Sequence, residues 1–229
     1  MLSRIDAHQQ IMKELEKARL FRIEDWSDNF STKNNRRGPS TSTTALCSML
    51  RMGMRCHCGI INAGAVRNGK DYVEKYFTYA DLKAEIPFNT GMTAVYIPGH
   101  VLEATICNSR KTLGSGGYLH PCNSIKLKDD GKIESIQGKP FDPEYKYLTA
   151  LPVQFFAGID NHKPLLEWAK AAGDRPSFSE EASIPAKIVL VEVFSALLWL
   201  EIGSFEEIDR DGDGVIRRDE LKAHIAKWY

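Results

Sequence analysis

Thirteen consecutive positions, Ile188 to Leu200, are apolar except for Glu192 and Ser195. A helix drawn over Pro185 to Phe205 would have no polar face, so it must be covered. A membrane span needs about 20 such residues, and this run falls short. Two coverings are open: the chain's own core, or a helix from a protein partner. Elsewhere the balance is ordinary, with 43% hydrophobic and 26% charged residues, which excludes a mostly disordered chain. Lys plus Arg and Asp plus Glu both total 30, which argues against a general nucleic-acid binder or a polybasic membrane sticker. The five cysteines, at 47, 56, 58, 107 and 122, are odd in number and form no dense framework, so they read as reduced thiols. No leader-type apolar core opens the chain. The expectation is a soluble, cytoplasmic protein without a membrane span.

The most specific motif follows that apolar run. From Asp209 to Glu220 the residues read Asp-Arg-Asp-Gly-Asp-Gly-Val-Ile-Arg-Arg-Asp-Glu, the spacing of an EF-hand calcium loop. Calcium takes six to eight oxygens. Asp209, Asp211 and Asp213 would supply carboxylates, Val215 a backbone carbonyl, and Glu220 both carboxylate oxygens. Gly214 would permit the sharp turn, and Ile216 would point inward. Arg217 departs from the pattern at the ninth position, where a small polar residue usually holds a bridging water. EF-hands usually pair, so a second hand is another candidate to cover the helix before the loop.

Upstream, helices and strands mix without strict alternation, giving an α+β core with a C-terminal helical module. The patterns predict helices over Asp6–Ala18, Ala45–Met54, His100–Arg110 and Pro164–Ala172. They predict strands over Phe21–Trp26, Cys58–Ile61, Met92–Ile97 and Tyr145–Phe156, the last interrupted by Pro152. Thr78-Tyr79-Ala80-Asp81 reads as a capping box. Ser124–Leu127 and Ile133–Ile136 flank a hairpin turn. Boundaries fall at a linker-type helix (1–20), a core domain (21–172), a linker (173–185) and the calcium-loop module (186–229). Cys56, His57, Cys58, His120 and Cys122 lack zinc-type pairing and read as structural. Gly114 to Gly117 read as a turn.

Six segments in order carry a family resemblance. They are Arg36 before a Ser/Thr-rich helix start, Ile61-Asn62-Ala63-Gly64-Ala65-Val66-Arg67, and Tyr79-Ala80-Asp81-Leu82 leading to Ile86-Pro87-Phe88-Asn89. Then come Val95 to Leu102, Ser115 to Leu119, and Phe155-Phe156-Ala157-Gly158-Ile159-Asp160. Together they resemble the C-terminal domain of the 5′-nucleotidase / UDP-sugar hydrolase family, over roughly residues 5 to 172. The fold so implied is a layered α/β domain that binds the nucleoside. In that resemblance Phe88 and Phe155 match the rings that sandwich the base, and Asn62 the residue that hydrogen-bonds it. Arg36 and Arg67 match cations on the ribose or phosphate side, and Asp160 the ribose-hydroxyl acceptor. Ala63 and Ala65 stand where the family has glycines, and the turn before Asp160 is one residue shorter.

Hydrolysis in the family resembles two-metal chemistry carried by a separate N-terminal domain. Asp6-Ala7-His8 and Asn161-His162 match metal-ligand pairs only superficially, so no catalytic metals are expected in this chain and catalysis by it alone is left open. The expectation is a nucleoside- or nucleotide-binding domain joined to a calcium-binding EF-hand. The alternative is a non-catalytic, calcium-responsive scaffold or assembly subunit reusing the nucleotidase fold.

Overall fold

A computed structural model describes residues 10, 12–26, 29–111, 113–173 and 178–226. Asp6, His8 and Trp228 lie outside the described residues. The first helix, α1, is helical over 12–16. A strand β1 (Arg19–Arg22) follows, so the expected Phe21–Trp26 strand is displaced: Ile23–Asp25 instead make one turn of 3₁₀ helix. β1 pairs with β5 (Tyr76–Thr78), and β2 (Phe30–Ser31) with β4 (Asp71–Tyr72). Helix α2 (Thr41–Gly53) starts four residues earlier than Ala45, because Ser40 caps it by accepting from the Thr43 amide at 3.2 Å.

Five strands form the central sheet: β3 (Cys58–Asn62), β6 (Gly91–Pro98), β7 (Leu119–Pro121), β11 (Lys146–Pro152) and β12 (Ile184–Pro185). Their order across it is β12-β6-β11-β3-β7. β6 and β11 pair over seven residues, Lys146↔Pro98 to Pro152↔Met92. Only β11 and β3 run parallel. Beyond Pro152 the chain turns into a 3₁₀ helix, Val153–Phe155, so the strand stops short of Phe156. Helix α3 (Tyr79–Glu85) opens with the Thr78/Asp81 capping box, both bonds present. Helices α4 (Gly99–Ser109) and α5 (Lys163–Ala172) lie close to the expected spans. The hairpin of β8 (Ile125–Leu127) and β9 (Ile133–Ile136) gains a third strand, β10 (Lys139–Pro140).

Two expectations about the C-terminal part are corrected. Over residues 178–185 the expected linker is packed on the core: Phe178 stacks on Phe156 at 4.1 Å, and β12 extends the central sheet along β6. Helix α6 (Ala186–Ile202) then packs on α2. Gly53 allows this approach, since a Cβ there would meet Val189 at 2.6 Å and Val193 at 2.8 Å. Phe194 stacks on Phe21 at 5.3 Å, and Ala186, Val189, Leu190, Val193 and Phe194 are buried in the main core. Burial is not all round, however: Ile188, Leu198, Trp199 and Leu200 remain exposed. Nor does α6 reach Phe205. It ends at Gly203, with φ of 135°, and Ser204 opens a new short helix, α7 (Phe205–Ile208), through its own capping box with Glu207. Helix α8 (Arg218–Ile225) closes the described chain. No helix among the described residues is long and apolar enough to cross a membrane.

Candidate functional site

Five loops converge at the end of β3. Asn62 is buried like the rest of β3, and its Nδ2 donates to Asp160 Oδ2 at 2.6 Å across 98 positions of chain. Asp160 reaches this bond from a tight turn in which Gly158, Asp160 and Asn161 all take positive φ, at 92°, 62° and 51°. Asn and Asp tolerate that region better than other non-glycine residues. The Gly64 amide donates to Gly116 O at 2.8 Å, and the Ala63 amide to Tyr118 O at 2.8 Å. A Cβ on Gly117 would stand 2.9 Å from the Asp160 Cβ. Gly114 to Gly117 thus brace the floor of the site as well as turning the chain.

The two arginines are placed by backbone bonds. Asn35 Nδ2 donates to Ala63 O at 3.2 Å and to Val66 O at 3.0 Å, which sets Arg36 beside the segment leading into Arg67. The Asn35 carbonyl accepts from His120 Nε2 at 2.6 Å, and the Arg36 carbonyl accepts from the Gly114 amide at 2.7 Å. Burial pushes the His120 imidazolium down to about 4, so this ring is neutral and donates from Nε2. Among the described residues neither Arg36 nor Arg67 has a carboxylate partner. The Arg67 guanidinium instead lies 5.3 Å from the centre of the Phe88 ring, a cation–π contact on an exposed side chain.

Phe155 is placed differently. It is wholly buried, with its ring 4.6 Å and edge-on from the His162 ring. Stacking a base on it requires the 158–162 turn to move, so the sandwich of Phe88 and Phe155 is not assembled here. His162 Nε2 and Asn62 Oδ1 are both buried with no hydrogen-bond partner among the described residues, and burial lowers the His162 imidazolium against the opposing charge of Asp160. Ala63 and Ala65 are buried at 0% and 2% exposure, so their methyl groups do not enter the cleft. Gly64 is the position where a side chain would intrude, since a Cβ would lie 3.0 Å from Asn62 Nδ2 and 3.3 Å from Gly116 O. A cavity of about 250 Å³ opens elsewhere, between Trp26, Ser40, Thr41, Thr44 and Asn123, and none of the six candidate residues lines it.

The acidic loop is a second, separate cluster. Carboxylate oxygens of Asp209, Asp211 and Asp213 lie within 4.8 Å of one another. Gly212 and Gly214 take φ of 69° and 82° and donate to the two Asp209 oxygens at 3.0 and 2.9 Å. Glu220 accepts from the amides of Arg210 and Arg217, both at 2.9 Å, and bonds of this kind hold its carboxyl below the usual range. The Val215 amide donates to Asp213 at 2.9 Å, and Val215 itself is exposed. Arg217 turns back over the loop and ion-pairs with Asp211 at 2.9 Å and with Asp213. Ile216 is half-buried.

Sequence reasoning missed Asn35, read Gly116 and Gly117 only as part of a turn and a family segment, and read His120 only as structural. Their partners lie tens of residues away, so no local pattern marks them. A family model described as 5′-nucleotidase, C-terminal domain, matches residues 17–166. Among solved structures the chain is similar to a 5′-nucleotidase precursor from Thermus thermophilus, at 16% identity and a TM-score of 0.60, covering 83% of this chain and 39% of that one. It is similar to the NAD nucleotidase of Haemophilus influenzae, at 16% identity and 0.59, covering 86% and 38%. A sulfate thiohydrolase of Thermus thermophilus, solved with glycerol, matches at 16% identity and 0.56, covering 84% and 35%. These likenesses concern the fold, and the chain spans well under half the length of the proteins it matches. No curated protein matches it in sequence.

Proposed function

The chain belongs to the family of 5′-nucleotidase C-terminal domains, and from that premise we propose that it is the nucleotide-binding part of a 5′-nucleotidase-type phosphoesterase. The observation that carries this reading is that Asn35 ties the segment bearing Arg36 to the one bearing Arg67, next to the Asn62–Asp160 bond, with no carboxylate partner on either arginine among the described residues. Guanidinium forks suit phosphate oxygens, which they bond two at a time. Arg67 and Phe88 together offer a wall on which a base stacks by its π-face. Asp160 is exposed, and its carboxylate oxygens suit ribose hydroxyls as acceptors. Asn62 Oδ1 has acceptor capacity left but is closed from solvent, so a base donor reaches it only when its cover moves. On this reading phosphoester cleavage is the work of two-metal chemistry carried outside this cleft. The five free thiols support a reducing, intracellular setting.

The acidic loop supports a second element of the proposal, calcium binding. Three carboxylates converge at the first, third and fifth positions, and Glu220 is already turned over the loop. Their hard oxygens fit a hard cation. If the cleft takes no nucleotide, this loop leaves a calcium-responsive scaffold as the reading.

Titration calorimetry with AMP, adenosine and inorganic phosphate tests the main proposal. Saturable AMP binding is expected, weakened about tenfold or more by Arg67→Ala. No saturable binding of AMP at millimolar concentration would overturn it.

A further inference from the structure

The Arg67–Phe88 wall is held from beneath by a carboxylate with no cation on it. Glu85 is the last residue of α3 and is wholly buried. A glutamate almost never sits in such a place unless its oxygens are fully engaged. Here they are. Oε1 accepts from the Thr32 hydroxyl at 2.7 Å and from the Tyr72 hydroxyl at 2.5 Å. Oε2 accepts from the Asn68 amide at 3.2 Å, and the Glu85 carbonyl accepts from the Arg67 amide at 2.9 Å. The Thr32 hydroxyl also accepts from the Lys70 amide at 3.2 Å, which closes the network on the far side of the loop.

These donors come from three segments: the loop that leads to Arg36, strand β4, and the 66–70 loop that carries Arg67. Phe88 follows Glu85 by three residues, through the buried Ile86. One side chain therefore joins the mountings of both arginines and of the ring that Arg67 covers. We propose that Glu85 is the positioning residue of the nucleotide site, fixing Arg67 and Phe88 against the Arg36 loop. This rests on the nucleotide reading of that site. A carboxylate suits the task because it presents acceptors only, and every neighbour that reaches it is a donor. A glutamine brings two N–H groups into the same space, so at least one neighbouring donor loses its acceptor. A ligand-binding geometry held this way is lost through small displacements, without unfolding.

The test is a double-mutant cycle on the full chain, read by AMP calorimetry and by amide hydrogen exchange. Glu85→Gln is expected to weaken AMP binding about tenfold in the wild-type background, and to change it less than about twofold when Arg67 is already Ala. Exchange should quicken at residues 66–70 and 86–89 and little elsewhere. Equal effects in both backgrounds, or wild-type affinity in Glu85→Gln, would overturn the proposal. If Glu85→Gln does not fold, Tyr72→Phe removes one donor while keeping the ring, and its cycle with Arg67→Ala is scored in the same way. Absence of AMP binding by the wild-type chain would sink the nucleotide reading. The exchange data then decide on Glu85: quickening confined to the two loops supports it, and a uniform or absent change overturns it.

Discussion

The cleft around Asn62 and Arg67 draws its bonds from residues 17 to 98 positions apart, while the acidic loop bonds almost entirely within Asp209–Glu220. The cleft therefore depends on the whole core being folded. The loop depends on its own glycines, its carboxylates and the first turn of α8. Between them lies α6, which belongs to the core by its inner face and meets the loop module through the bond from His224 Nε2 to the Ile202 carbonyl, at 2.5 Å. A site assembled at long range is sensitive to distant packing, and a locally assembled one is sensitive mainly to its own residues.

The largest expected effect tests where the boundary between the two lies. Phe194→Ala removes a ring that is 2% exposed and stacked on Phe21. A truncation of that kind costs about 3–5 kcal/mol, and here it should destabilise the cleft domain itself. Urea unfolding followed by the buried aromatic cluster measures it. A loss under about 1 kcal/mol would mean that α6 is a separate unit, restoring a domain boundary near residues 173–185.

That boundary shows how legibility depends on range. Asp209 to Glu220 could be read position by position because each residue's part in the motif is set by its spacing. The break at Gly203-Ser204 was legible too, as a glycine followed by Ser-x-x-Glu, but the apolar run into Phe205 obscured it. In the cleft, Arg36, Asn62, Arg67, Phe88 and Asp160 were reached only through ordered family resemblance, and the structure gathers their loops together. Phe155 and Phe156 are adjacent rings, and nothing local states which one turns into the core. Glu85 looks like any glutamate at a helix end until Thr32, 53 positions away, is seen to donate to it.

Acid should separate the two regions next. His120 is buried and neutral, its imidazolium depressed from 6.5 to about 4. The unfolded chain takes up the proton at the ordinary value and the folded chain resists it. The stabilisation is therefore complete above about pH 6.5 and is lost as pH falls towards about 4. The loss amounts to about 2 kcal/mol by pH 5 and about 3 kcal/mol in all. His120→Asn keeps a donor for the Asn35 carbonyl but has no proton to gain. Its stability should fall by about 2 kcal/mol less than that of the wild type between pH 7 and pH 5, in urea titrations at both values. Parallel losses in the two proteins would show that His120 is accessible to protons in the fold, and that the Asn35 anchor is looser than its geometry implies.

The smallest effect lies in the loop and turns on Arg217. Its guanidinium ion-pairs with Asp211 and Asp213, and those carboxylates hold it more firmly protonated than usual. Calcium must displace that cation to use the same oxygens, so the wild-type loop should bind at about 10⁻⁵ M or more weakly. Arg217→Ser restores a small polar residue at the ninth position and removes the competitor. The expected gain is about tenfold in calcium affinity, shrinking as salt screens the arginine it replaces. Because the contacts are local, neither this change nor the filled loop should alter AMP binding in the cleft. Glu220→Gln, which removes the charge that closes the loop, should nearly abolish calcium binding. Calorimetry of the three proteins in matched buffers decides. Equal heats in the wild type and in Glu220→Gln would mean that the loop holds itself together through Arg217 and takes no calcium.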